Sequence, residues 1–192
     1  MSQNAVTDEP VQAYPGKVEN SGQFPTQMIS RLASELIYFG KLAITADADL
    51  AVGGAAGGPQ TCALPTTAAE VLLAAQGGGV AIADPSIERL RNPLSLGVAN
   101  SAPYGAFPDE DAVPLMRKGR VWVQTEVAIA ALSDGVFVRV STPGTIPIAS
   151  LGSFTPVDTA DHEPAPEGFA WAGSCIGEGG IFLALLDINL PG

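Results

Sequence analysis

His162 is the one histidine in the chain and the first residue to consider for chemistry. An imidazole is the side chain most often used as a general base near neutral pH. Here it lies in the stretch DTADHEPAPEG, where four acids surround it. Negative neighbours favour the protonated imidazole, which is the poorer base. The sequence therefore predicts a solvated loop histidine and not a catalytic one.

Two glycine-containing segments have the residue types, but not the spacing, of catalytic loops. Residues 173–177, GSCIG, surround Ser174, but a nucleophile elbow needs a glycine two residues before the serine, where this chain has Ala172. Residues 53–60, GGAAGGPQ, lack the lysine of a phosphate-binding loop and fit a surface loop instead. We predict no catalytic residue and no cofactor.

Acidic pairs and cysteines are the remaining candidates for a metal site. Asp47 with Asp49, and the run DED at 109–111, bring carboxylates together as calcium sites do, but neither matches an EF-hand loop and solvated turns are commoner. Cys62 and Cys175 lie far apart without a CxxC motif. We expect two buried free thiols, no zinc, no disulfide framework and no metal.

Charge in this chain is sparse and one-sided. The 192 residues include 9 Lys and Arg against 20 Asp and Glu, a net charge of −11, and beyond Val140 there are six acids and no base. Such a chain repels phosphates, so we expect no nucleic-acid partner. It has no apolar run of about 18 residues and no signal-peptide pattern, which predicts a soluble protein made in the cytoplasm with no membrane partner. Only 15% of residues are charged, which indicates a partly covered surface, as in an assembly subunit.

Residues 1–27 have the composition of an extended arm. Prolines and glycines interrupt the segment too often for a helix or strand of useful length. Tyr14, Val18 and Phe24 are apolar side chains that such an arm has no core of its own to bury, so we predict that they contact a partner. A disordered terminus is the alternative. Residues 28–192 then form a single β-rich domain with long Gly- and Pro-rich loops.

Short apolar runs separated by glycine and proline turns predict a mainly β fold with little helix, a β-sandwich or barrel of the jelly-roll kind. Near the start of the domain, we favour a turn or short helix that runs into a strand at 36–44. Residues 68–76 fit a short helix or a strand equally well. Further strands are predicted at 80–83, 94–99, 136–140, 169–171 and 181–188.

The clearest local pattern surrounds the pair Lys118-Gly119. Alternating runs at 113–117 and 120–126 flank this glycine-containing turn, which predicts a β-hairpin. Pro114 cannot donate to a sheet ladder, so its strand is predicted to lie at a sheet edge.

Several motifs, taken in chain order, carry a family resemblance. They are Tyr14-Pro-Gly16, Ile29-Ser30, Phe39-Gly40, Leu96-Gly97-Val98, Tyr104, Lys118-Gly119-Arg120-Val121-Trp122-Val123 and Asp134-Gly135-Val136-Phe137-Val138. The chain resembles the head decoration, or structural cement, proteins of tailed bacteriophages. The resemblance implies a small virion protein without enzymatic activity. It would bind the exterior of the head and bridge neighbouring major capsid protein subunits, which stabilises the shell against internal DNA pressure.

A different virion or extracellular β-module, such as a fibre or a carbohydrate-binding domain, is the alternative. Glycan-binding modules present exposed aromatic rings, whereas Trp122 and Trp171 lie in strand contexts that favour the core. An enzyme would have to use His162. The sequence leaves open whether the protein pairs with itself as a dimer or trimer, because it has neither a heptad repeat nor an evident self-complementary strand.

Overall fold

The structure, a computed structural model, describes residues 15–19, 26–45, 60–83, 105–141, 151–176 and 182–191. These residues form a mainly β protein with one short helix, as the sequence predicts. The helix is α1 (Ala68–Gly77). The strands, in chain order, are β1 (Gln27–Ala33), β2 (Ile37–Tyr38), β3 (Leu42–Thr45), β4 (Thr61–Ala63), β5 (Gly79–Ala81), β6 (Ala106–Phe107), β7 (Ala112–Gln124), β8 (Phe137–Arg139), β9 (Phe154–Thr155), β10 (His162–Pro164), β11 (Phe169–Ile176) and β12 (Phe182–Asn189).

Five strands close into a barrel. The large sheet has the order β1-β4-β3-β5-β7-β12-β11, and an additional pairing of β1 with β7 joins the first five strands into a ring. The β1–β4 pair is parallel and the other pairs of this sheet are antiparallel. Closure leaves the ring without an edge strand, while β12 and β11 extend β7 as an open sheet.

Strand β7 belongs to both parts of the sheet, and it corrects the predicted hairpin at Lys118-Gly119. The chain does not turn there: it continues as one strand of 13 residues. Lys118 lies opposite Gln27 of β1 and Asn189 of β12, and Gly119 lies opposite Ile188. Gly119 adopts φ 128°, a conformation that only glycine takes readily, within the strand. Partners on both sides supply the hydrogen bonds that a local turn would have made.

Pro114 also lies in a strand of the closed ring, where β7 has β1 on one side and β5 on the other, so the predicted edge position is wrong. It is opposite Ser30 of β1, and its carbonyl accepts from the N–H of Ile82, 3.0 Å away, just beyond the end of β5. In a strand the N–H and C=O of one residue point to the same side. The nitrogen of Pro114 therefore faces the point where β5 has ended, so its missing N–H removes no hydrogen bond from the ladder.

Residues 27–33 form a strand and not the turn or short helix favoured from the sequence, and the single strand predicted at 36–44 is divided into β2 and β3. In β1 the half-buried Gln27 and Ile29 alternate with the exposed Met28 and Ser30. This period of two agrees with pairing to β7 and β4 at the same time. Tertiary pairing overrides a local periodicity that fits a helix equally well.

Residues 68–77 form a helix, one of the two alternatives that the sequence left open. Thr67 caps it: its Oγ1 accepts from the Glu70 N–H, and the Glu70 carboxylate accepts in return from the Thr67 N–H, 3.1 Å away. At the other end, Arg117 of β7 donates to the carbonyls of Ala75 (2.9 Å) and Gly78 (3.1 Å). A cation at the helix C-terminus also complements the helix dipole. The helix start is thus set by its own cap, and its C-terminal end is fixed to the sheet by Arg117.

Side chains alternate between two apolar clusters. In β3, Leu42 and Ile44 join one cluster and Ala43 the other, and β5 divides Val80 and Ala81 in the same way. We call the second the barrel cluster, since all five ring strands contribute to it through Ala33, Ala43, Cys62, Ala81, Val113 and Leu115. Four of these six are Ala or Cys, because a ring of five strands encloses little volume. The first, the outer cluster, lies under α1 and the open sheet.

Two smaller sheets complete the fold. The pair β2–β6 brings Ile37 and Phe107 onto the barrel cluster, where the Phe39 and Phe107 rings are 4.9 Å apart. The strands β8, β9 and β10 form a three-stranded sheet with β8 in the middle, here named the small sheet. It meets the large sheet through a parallel bridge between Thr125 and Phe154.

Candidate functional site

Among the three predicted contact residues, Val18 is the one that the structure describes. It forms an antiparallel bridge with Val121 and packs, half-buried, against the outer cluster. Neighbouring backbone bonds join Gly16 and Lys17 to Trp122. This part of the arm covers the side of β7 that β1 leaves open beyond Lys118. Tyr14 and Phe24 lie outside the described residues, and their partner contacts stay predictions.

His162 is buried, and the predicted solvated loop histidine is wrong. It begins β10, is 6% exposed, and its Nδ1 lies 2.6 Å from Thr159 Oγ1. Its Nε2 is 3.2 Å from Glu126 Oε2. A carboxylate can only accept, so the Nε2–H donates to it. The acid that matters is thus 36 residues away in sequence and not one of the flanking acids.

Glu126 joins three elements through its carboxylate. It follows β7 and accepts from Arg139 of β8 at 2.6 Å and 2.7 Å, in addition to the bond from His162 of β10. Asp161 Oδ2 lies 3.7 Å from Arg139 Nη1 at the solvent side. We call Glu126, Arg139 and His162 the ion cluster. A two-pronged Arg–carboxylate pair fixes orientation as well as distance, so this cluster sets how β8 and β10 lie against the end of β7.

The charges of the ion cluster support one another. Burial by itself raises the pKa of the Glu126 carboxyl, but hydrogen bonds from Arg139 and His162 outweigh it and hold that pKa below its usual value. The hydrogen bond to Glu126 in turn raises the pKa of Arg139. Both shifts favour the ionised forms, so the two side chains form a charged pair with little access to water.

Lys41 and Ser153 form a second buried polar contact beside the small sheet. Lys41 Nζ donates to Ser153 Oγ, and burial lowers the pKa of Lys41 to about 8. A lysine of lowered pKa next to a serine is the base and nucleophile pair of some hydrolases. Here the residues are 5% and 0% exposed. No substrate can reach Ser153 in this structure, and the contact instead joins the small sheet to the barrel.

The described residues contain neither a candidate metal cluster nor, at Cys62, an exposed thiol. Among the described residues, no group of three or more His, Cys, Asp or Glu side chains could hold a metal ion. Cys62 is buried in the barrel cluster as a free thiol, and burial raises its pKa to about 12. Such a thiol is unreactive. Residues 53–59 of the GGAAGGPQ segment, Asp47 and Asp49 lie outside the described residues.

An exposed apolar segment, missed by the sequence reasoning, follows Glu126. Residues 127–132, VAIAAL, lie outside every strand, and all but Ile129 are classed as exposed. Val127 is 39% and Leu132 54% exposed. Val157, 44% exposed, lies just after β9, whose Phe154 bridges Thr125. The sequence signal is six consecutive apolar residues between Glu126 and the turn SDG, which in a strand would have been buried.

Neither tryptophan offers an open ring for a sugar. Trp171 is 4% exposed, and its Nε1 donates to the Gly135 carbonyl at 3.1 Å. Trp122 is half-buried, and its Nε1 donates to Glu19 Oε2 at 3.1 Å. Trp171 is therefore buried, as its place in a strand predicts, and Trp122 is half-buried. These two rings lend no support to a glycan-binding surface.

Comparison with known proteins gives a family match. A family model described as structural cement protein (E217 gp24/Pam3 gp6) matches residues 2–186, nearly the whole chain. No curated protein matches the sequence. Within the part of the chain that the structure describes, no helix is long and apolar enough to cross a membrane.

Proposed function

The chain belongs to the phage structural cement protein family, and we propose that it binds the exterior of the phage head and bridges neighbouring major capsid protein subunits. The family gives it a structural role in the virion. The match over residues 2–186 is the observation that carries the proposal, because it spans the arm, the barrel and the small sheet together. The buried state of Lys41, Ser153 and His162 supports a mechanical role without catalysis.

The mechanism is a mass-action effect on the shell. A protein that binds two assembled subunits, but not the dispersed ones, stabilises the assembly by the free energy of its own binding. Internal DNA pressure must then break the cement contacts as well as the subunit junctions. A net charge of −11 favours a basic protein surface as partner and disfavours nucleic acid.

The arm is proposed to contribute part of the contact. Val18 and its neighbours already pair with β7, so the outer residues Tyr14 and Phe24 are the side chains we propose to contact the capsid, with Val18 fixing the direction of the arm. Removal of residues 1–14 leaves the 15–19 segment in place over Trp122. We expect this truncation to lower head occupancy without lowering the melting temperature.

The test uses heads of the phage that encodes the chain, assembled without it. Heads incubated with the purified protein should retain their DNA at higher temperature and under osmotic shock than heads incubated with an unrelated acidic protein. Electron cryomicroscopy of the same heads should show added density outside the shell across subunit junctions, and whether each site holds one, two or three copies. Absence of binding, or binding with unchanged resistance, would refute the proposed function.

A further inference from the structure

We propose that residues 127–132, together with Val157, form the docking face of the protein, and that this face fits an apolar surface with a Lys- and Arg-rich rim on the capsid shell. The inference rests on the proposed function, which it makes more specific. It does not concern the arm, whose predicted contacts lie elsewhere in the chain.

The docking face differs from the other exposed apolar residues of the described chain. Met28 in β1, Leu36 between β1 and β2, and Leu72 in α1 are exposed large side chains in separate segments, and single exposed residues of this kind are normal on any protein. Residues 127–132 are instead consecutive, and Val157 lies two residues after β9, whose Phe154 bridges Thr125 just before this run. A run of exposed apolar residues is disfavoured unless a partner covers it.

Contacts within the protein order the face at both ends and in the middle. The Thr125 hydroxyl donates to the Val127 carbonyl at 2.8 Å, and Asp134 accepts from the Ala131 N–H at 2.9 Å. Between these points Ile129 packs against the outer cluster. Ordering a loop on binding costs free energy, so a segment ordered in advance binds with less loss. The apolar exposure is therefore a fixed feature of the surface.

Charge decides between a capsid partner and a second copy. The only Lys or Arg beyond Arg120 is Arg139, which is buried with Glu126. Asp134 contacts Ala131 within the face, and Asp158 directly follows Val157 in the chain. Two copies joined through this face would bring their acidic rims together, which is unfavourable. A partner surface with an apolar centre and basic residues around it would match both the exposed apolar residues and the acidic residues beside them.

The test introduces a charge into the face and, as a matched control, elsewhere. Val127→Asp and Leu132→Asp should each weaken binding to heads assembled without the protein by about tenfold or more, as loss of a central interface contact does. Leu72→Asp alters a residue that is 62% exposed on α1 and should leave affinity within about twofold. Asp158→Asn should weaken binding by a few fold and reduce its dependence on salt. Equal melting temperatures show that all variants fold.

The outcomes separate the two proposals. If the unmodified protein does not bind heads, the proposed function fails and this inference with it. If the unmodified protein binds and Leu132→Asp binds equally well, the docking face is wrong while the function stands. Sedimentation of each variant gives a further check: dissociation of an oligomer by Leu132→Asp would make this face a contact between copies and would overturn the inference.

Discussion

The barrel and the ion cluster hold the molecule together in different ways. The barrel is closed by backbone pairing, and its interior is filled by small apolar side chains such as Ala43 and Ala81. The ion cluster depends on three long polar side chains that come from the end of β7, from β8 and from β10. We therefore expect added volume to be the characteristic weakness of the barrel and loss of a charged partner to be that of the cluster.

The largest effect should come from Glu126→Gln. This change removes the buried negative charge and leaves the guanidinium of Arg139 with only the exposed carboxylate of Asp161, 3.7 Å away, which costs about 3 kcal/mol of unfolding free energy. The matched control is Asp187→Asn, because the Arg120–Asp187 pair at 3.3 Å is about one-third exposed. Such a surface pair contributes about 0–1 kcal/mol. Urea denaturation measures both, and equal losses would remove the distinction drawn between the two regions.

The next effect should come from added volume in the barrel. Ala81 is fully buried, so Ala81→Leu must push apart strands that closure holds at a fixed distance, at a cost of about 1–3 kcal/mol. Ala112→Leu places the same side chain at the exposed end of β7 and should change stability by less than about 0.5 kcal/mol. An Ala81→Leu protein as stable as the unmodified one would show that the ring encloses free space.

The smallest effect should be the pH dependence of stability that comes from Lys41, which lies beside the small sheet. Burial lowers the folded-state pKa of Lys41 to about 8, so above this pH the unfolded chain binds more protons than the folded one and stability rises with pH. The gain should be about 1 kcal/mol between pH 8 and 9. Cys62, with its pKa raised to about 12, acts in the opposite direction.

Comparison with Lys41→Met isolates the contribution of the lysine, because Cys62 is present in both proteins. Unfolding free energies of the two should change in parallel between pH 6 and 7 and diverge above pH 7.5. Parallel profiles up to pH 9 would contradict a buried, charged Lys41.

Much of the fold follows from local sequence patterns. Strand β12 coincides with its predicted run, and β11 begins at the predicted Phe169 but continues past Trp171 to Ile176. The cap at Thr67 explains why residues 68–77 form a helix. The Lys118-Gly119 hairpin failed because glycine serves a turn and a positive-φ strand position equally well. What decides between them is pairing with β1 and β12, which a local pattern does not contain.

The candidate site was less accessible to sequence reasoning, for a related reason. His162 has four acids beside it in sequence, yet the acid it contacts is Glu126. Burial of a polar side chain depends on partners brought together by topology, and the strand pairing that joins β8 to β10 has no signature in the sequence around His162. The apolar run at 127–132 can be recognised in the sequence, but its exposure to solvent cannot be predicted from the sequence.

Strand β7 also has a mechanical consequence. It runs without interruption from the ring into the open sheet, and near Gly119 it has partners on both sides. A force along the axis of β7 acts on all of its flanking hydrogen bonds at once. These bonds therefore oppose separation of the strand together and do not break one after another. Because β7 is unbroken between its two halves, we expect it to act as a stiff tie between the ring and the open sheet.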